Sequence, residues 1–151
     1  MGPEKVQEKE KEIIGKWPNT YTFTKSLTEK VLQKRSAHLK IVIIRPSIVI
    51  SSANEPFLGW TENISAMGGL IFAIMLGLIN YLQCREDLIL DSVPVDTVSN
   101  LILAATAYTA TNGIPGKVLV MHSTSSNSHP SSVKMICETV LEYLKYNQSI
   151  K

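Results

Sequence analysis

A chain of 151 residues is long enough to bury a sizeable core and suits one compact domain. Its 44% apolar and 19% charged residues describe an ordinary globular protein, and a net charge of +2 argues against a nucleic-acid or strongly acidic partner. The two cysteines, Cys84 and Cys137, make neither a disulfide framework nor a metal-binding spacing, and point to reduced thiols in a cytosol-facing compartment. Residues 1–12 form a mixed-charge lead-in, with Glu4, Lys5, Glu8, Lys9, Glu10, Lys11 and Glu12. The lead-in has no apolar run, so it does not read as a secretory signal.

Pro18 and Asn19 signal a helix start. From Thr20 to about Ala37, Phe23, Leu27, Val31 and Leu32 recur at helical spacing, with charged residues on the other side, so an amphipathic helix is expected. Tyr21 and Lys25 fall four residues apart on it, which puts a phenol and an ammonium on one face. A nearby ammonium favours a phenolate, and such a pair can exchange a proton with a carbonyl oxygen. With 5 Tyr and 12 Lys in 151 residues, roughly 0.4 such pairs arise by chance, so the context has to carry the reading.

Lys40-Ile41-Val42-Ile43-Ile44-Arg45-Pro46 is a β-branched run that reads as a parallel strand buried on both faces and ended by Pro46. Residues 47–52 follow its C-terminal end, where open α/β sheets bind ligands. Residues 53–63 are a turn-rich loop carrying Phe57 and Trp60, read either as a seal on the core edge or as a substrate-side lid. Residues 64–82 contain no charge. A buried or ligand-facing helix over about Gly69 to Tyr81 is preferred to a membrane span, and a membrane-surface role stays open. Leu88-Ile89-Leu90 reads as a short strand. Pro94 and Asp96 then open a helix to about Tyr108. Lys117 to Met121 reads as a further strand, residues 122–132 as a polar loop, and Val133 to about Tyr146 as a last helix capped by Ser131 or Ser132. His122 and His129 lack a third ligand at useful spacing, so no metal site is expected.

Four segments occur in one order: Pro18-Asn19-Thr20-Tyr21-Thr22-Phe23-Thr24-Lys25, Arg45-Pro46-Ser47-Ile48-Val49, Glu55-Pro56-Phe57-Leu58-Gly59-Trp60 and Val93-Pro94-Val95-Asp96. The set resembles the extended short-chain dehydrogenase/reductases, and within them the alcohol-forming fatty acyl-CoA reductases with their male-sterility type NAD(P)-binding domain. The resemblance covers about residues 12 to 135. It implies NADPH-dependent reduction of a long-chain fatty acyl-CoA to the alcohol through the aldehyde. It assigns Tyr21 as the proton donor and Lys25 to the Tyr21 phenol and the nicotinamide ribose. It places Pro46, Ser47, Ile48 and Val49 against the nicotinamide, and Phe57 and Trp60 on the acyl side. The family setting it implies is cytosol-facing, at a peroxisomal or endoplasmic reticulum membrane.

Dinucleotide folds need a Gly-rich turn to bring backbone amides to the pyrophosphate. The glycines at 2, 15, 59, 68, 69, 77, 113 and 116 form no such motif, and no Ser precedes Ser26 to supply the family's carbonyl-polarising hydroxyl. The expected fold is therefore α/β: a partial Rossmann-like, doubly wound parallel sheet whose Gly-rich N-terminal half is absent. Residues 13–147 form the C-terminal portion of the reductase domain, inactive by itself. The alternative is a non-catalytic truncated paralogue that binds a partner or a membrane surface. A nucleotide-sugar epimerase or dehydratase shares the Tyr and Lys but gives no reason for the Glu55–Trp60 segment.

Overall fold

The computed structural model describes residues 9–64 and 66–147. Most of the charged lead-in, residues 1–8, lies outside the described residues. In chain order the elements are α1 (Glu10–Ile14), α2 (Thr20–Arg35), β1 (Ile41–Pro46), β2 (Ile48–Ile50), α3 (Ala66–Met75), β3 (Ser92–Pro94), α4 (Val95–Asn112), β4 (Val118–Ser123) and α5 (Val133–Tyr146). β1 pairs with β4, and β2 pairs with β3. The β2–β3 pair is parallel, with Ile48 opposite Ser92, Val49 opposite Val93 and Ile50 opposite Pro94. The result is a mixed α/β, partial Rossmann-like arrangement of short strands and helices. The chain divides into two compact units, Met1–Ile43 with Tyr108–Leu119, and Ile44–Ala107 with Val120–Lys151.

In the first unit α2 starts where Pro18 and Asn19 predict. The Asn19 side chain accepts the Thr22 amide at 2.9 Å, which satisfies one of the orphan donors of the first turn. Lys34 and Arg35 sit in the last turn, where cations favour the carbonyl end of the helix. The apolar spacing is as expected, yet no α2 residue is buried, and Leu27, Val31 and Leu32 are exposed. At Gly113 a Cβ would collide with the Thr109 carbonyl, the same oxygen that accepts the Gly113 amide at 2.9 Å. Glycine is therefore the residue that lets this turn close.

In the second unit the buried apolar side chains among the described residues are Val93, Val98, Ala105 and Val133. They come from β3, one face of α4 and the start of α5. α3 packs against β2 and α5. Ser132 is the α5 cap, its hydroxyl accepting the Met135 amide at 3.2 Å.

Three expectations are corrected. β1 is half-buried at Ile41 to Ile44 rather than covered on both faces, because it is one strand of a two-stranded sheet. Residues 88–90 make only an antiparallel bridge, Ile89 to Ser132, and the strand lies at Ser92–Pro94. Pro94 cannot donate to a ladder, and it is tolerated as the last residue of a strand that has one partner. The apolar helix runs Ala66–Met75 instead of reaching Tyr81. Gly77 adopts φ +71°, its amide bonds to the Ile74 carbonyl, and the Leu78 amide bonds to the Ala73 carbonyl. That pair of bonds is a Schellman cap, so the glycine ends the helix within the apolar run. Among the described residues no helix is long and apolar enough to cross a membrane.

Candidate functional site

In the first unit, Tyr21 and Lys25 come together as their spacing requires. The Lys25 ammonium lies over the Tyr21 ring, 5.6 Å from its centroid. This is within the range of a cation–π contact, worth about 0.5–1 kcal/mol at an exposed site. Tyr21 is 67% exposed, so its side chain faces solvent. The turn below it is held locally: the Thr24 hydroxyl donates to the Tyr21 carbonyl at 3.0 Å.

In the second unit, the segment 46–49 runs from the end of β1 through β2. The Ser47 amide donates to the Ser123 carbonyl at 2.9 Å, and the Ile48 amide to the Asp91 carbonyl at 3.2 Å. Pro46, Ile48 and Val49 are exposed. The Ser47 Oγ is buried and closes no hydrogen bond of ordinary length. The Ser47 hydroxyl is among the groups that lower the Asp91 carboxyl.

Beside this segment lies a cavity of about 840 Å³, within the range of small-molecule sites. Val49 and Ile50 form one side, the loop from Gly59 to Ile64 another, and Met67, Ile71, Phe72 and Met75 of α3 a third. Glu62 is the single charged residue among its described lining residues. Trp60 is half-buried in the wall, whereas Phe57 is 63% exposed and stands outside it. The uncharged stretch after residue 64 thus supplies a cavity wall. The α3 side of the cavity offers apolar surface to a ligand, and Ser51, Thr61, Glu62, Asn63, Ser92 and Ser131 supply its polar lining.

The residues that build this wall were only partly visible in the sequence. Ser52, 3% exposed, closes the loop at its base. Its hydroxyl donates to the Phe57 carbonyl at 2.6 Å and accepts the Trp60 amide at 3.1 Å. Asp96 sits in the first turn of α4, as its acidic character suggests, but its carboxylate reaches outward. It accepts the amides of Ala53, Asn54 and Glu55 at 3.0, 2.9 and 3.2 Å. These bonds, led by that from Ala53, hold its carboxyl down at about pKa 2. Asp91 does the same for the loop after β4. It accepts the Ser125 amide at 2.9 Å and the Ser126 hydroxyl at 3.0 Å, and its carboxyl is lowered chiefly by the Ser125 amide. The signal available beforehand was two aspartates flanking the Ser92–Pro94 run. Among the described residues, no three His, Cys, Asp or Glu side chains converge on a metal-sized site.

Comparison with known proteins adds a name to these parts. Residues 2–102 match the NAD-binding family described as "Male sterility protein". Over 118 residues, 78% of this chain, the sequence is 46% identical to human fatty acyl-CoA reductase 2. The figure is 45% against the bovine fatty acyl-CoA reductase 2 over the same length. Against the mouse fatty acyl-CoA reductase 2 it is 42% over 125 residues, 83% of the chain. The chain spans about a quarter of the length of these relatives, 23% of the human and 24% of the mouse protein.

Proposed function

The chain belongs to the Male sterility protein family of NAD-binding domains, and from that premise we propose that it contributes the proton donor and the acyl wall of an NADPH-dependent fatty acyl-CoA reductase. The observation that carries the reading is the cavity of about 840 Å³, apolar along Val49, Ile50 and α3, which begins at Val49 of the segment assigned to the nicotinamide.

A nicotinamide cofactor fits the residues present at one end only. The buried Ser47 Oγ lacks an ordinary hydrogen bond, and a carboxamide would supply one. Pro46, Ile48 and Val49 offer exposed apolar surface of the kind a nicotinamide ring covers. The chain has no Gly-rich turn for the pyrophosphate. NADPH, when bound, supplies the hydride for each of two reductions, thioester to aldehyde with release of CoA, then aldehyde to primary alcohol. Tyr21 gives its phenolic proton to the oxygen derived from the carbonyl. Lys25, which lies over the Tyr21 ring, would hold the nicotinamide ribose. Trp60 and the apolar face of α3 exclude water from the acyl chain, and Met67, Ile71, Phe72 and Met75 give a long-chain acyl group apolar surface to cover.

The test is a transplant. The matching 118-residue segment of the human reductase is replaced by this chain's residues, and palmitoyl-CoA is converted to hexadecanol with NADPH. A folded chimaera that binds NADPH but forms no alcohol would sink the proposal. The 151-residue chain by itself neither binds NADPH tightly nor turns over acyl-CoA, and saturable enhancement of NADPH fluorescence by it would contradict this.

A further inference from the structure

The loop that forms one side of the cavity has little packing of its own. Residues 54–59 are all exposed, so burial does not hold them. Two polar devices do. Ser52 ties the loop to itself, with its backbone amide on the Trp60 carbonyl at 3.0 Å and its carbonyl accepting the Gly59 amide at 2.9 Å. Asp96 ties it to α4, with three consecutive amides on one carboxylate. An acidic residue in a first turn ordinarily satisfies amides of its own helix. Here the carboxylate is turned onto another segment, and the same loop carries Trp60 into the cavity wall. Trp60 also borders a smaller cavity of about 400 Å³, whose other side includes Asp96. Trp60 thus lines both cavities, on the loop whose Ala53–Glu55 amides Asp96 holds.

We propose that Asp96 is a positioning residue for acyl recognition: by fixing the Ala53–Glu55 backbone it sets the position of Trp60 and so the width of the cavity offered to the acyl chain. This rests on reading the cavity as the acyl side. A wall held at one width buries each added methylene against fixed neighbours, and a loose wall does not. Asp96 touches no reacting atom, so its loss acts on affinity and chain-length discrimination.

The experiment titrates the 151-residue chain with palmitoyl-CoA and decanoyl-CoA below their micellar concentrations, by calorimetry. The wild-type chain is expected to bind the longer acyl group more tightly. Asp96→Asn, which keeps the shape but replaces one acceptor oxygen by a donor, lowers palmitoyl-CoA affinity about tenfold and brings the two ligands within about twofold of each other. Asp96→Glu recovers most of the discrimination. A folded Asp96→Asn chain with unchanged discrimination overturns the role of Asp96 and leaves the acyl reading standing. A wild-type chain that binds neither ligand overturns the acyl reading, and this proposal with it. Where Asp96→Asn does not fold, amide exchange in the wild-type chain decides. Palmitoyl-CoA should slow exchange at Ala53, Asn54 and Glu55, and unchanged exchange there with the ligand bound overturns the proposal.

Discussion

Helix α2 and the loop of residues 51–63 are ordered by different means. The side-chain bonds that shape α2 reach three or four residues: Asn19 to Thr22, Thr24 to Tyr21, Thr28 to Thr24. The loop is ordered partly by Ser52 within it and partly by Asp96, more than forty residues further along the chain. The helix presents its chemistry outward, with Tyr21 exposed and no residue buried. The loop presents Trp60 inward, to a cavity. On the proposed reading, the acid is placed by local spacing and the acyl wall is held by a distant anchor.

The largest effect expected from breaking this contrast is at Tyr21. In the chimaera, Tyr21→Phe removes the hydroxyl and keeps the ring that lies beneath Lys25. Alcohol formation from palmitoyl-CoA should fall by about 10²–10⁴, the ordinary worth of a positioned general acid. NADPH affinity should change little. Retained alcohol formation would take Tyr21 out of the mechanism.

Trp60→Ala tests the other side. It removes the side chain that lines both cavities and leaves α2 untouched. Acyl-CoA affinity should drop on the order of tenfold, about 1.4 kcal/mol, measured by calorimetry on the chain. Phe57→Ala is the matched control. Phe57 stands outside the cavity wall at 63% exposure, so its truncation should alter affinity by less than about twofold.

The contrast also explains what could be read from the residues. The α2 start, the Tyr21–Lys25 face and a cap at Ser131 or Ser132 all depend on neighbours within one turn and are legible; the structure selects Ser132. The α/β alternation was legible because strand and helix periods differ. The end of α3 is not legible, because an uncharged run looks helical throughout and the positive φ of Gly77 breaks it. Composition favours a strand at Leu88-Ile89-Leu90, while pairing with β2 places it at Ser92–Pro94. Asp96 reads as a first-turn or cap residue of α4, and nothing in a linear sequence shows which amides its carboxylate faces. Ser52 had no signal beyond being a serine after a strand.

Acid should weaken the distant anchor in a set window. The Asp96 carboxyl ordinarily titrates near 3.8 and in the folded chain at about 2. A depressed folded pKa gives stability that is present in full above the unfolded value and is lost as the pH falls through the folded one. Asp96→Asn does not titrate. Its deficit in thermal stability against the wild-type chain should therefore be constant from pH 7 to about 5, and shrink as the pH falls from about 4 toward 2. A deficit that persists unchanged at pH 2.5 would mean that the three amide bonds do not depend on the charge.

The smallest effect belongs to the most local device. Asn19→Ala removes the side-chain oxygen that accepts the Thr22 amide and leaves the rest of α2 as it is. Loss of such a cap costs about 1 kcal/mol. In a chain of this size that lowers the midpoint of thermal unfolding by about 2–4 °C. Asn19→Asp should be near neutral, because a carboxylate accepts the same amide and suits the positive end of the helix. Acyl-CoA affinity and chain-length discrimination should not move in either variant, since neither the cap nor the Thr22 amide borders the cavity. A change in discrimination on Asn19→Ala would show that α2 and the loop are energetically one device, and the distinction between a locally placed acid and a remotely held wall would fail.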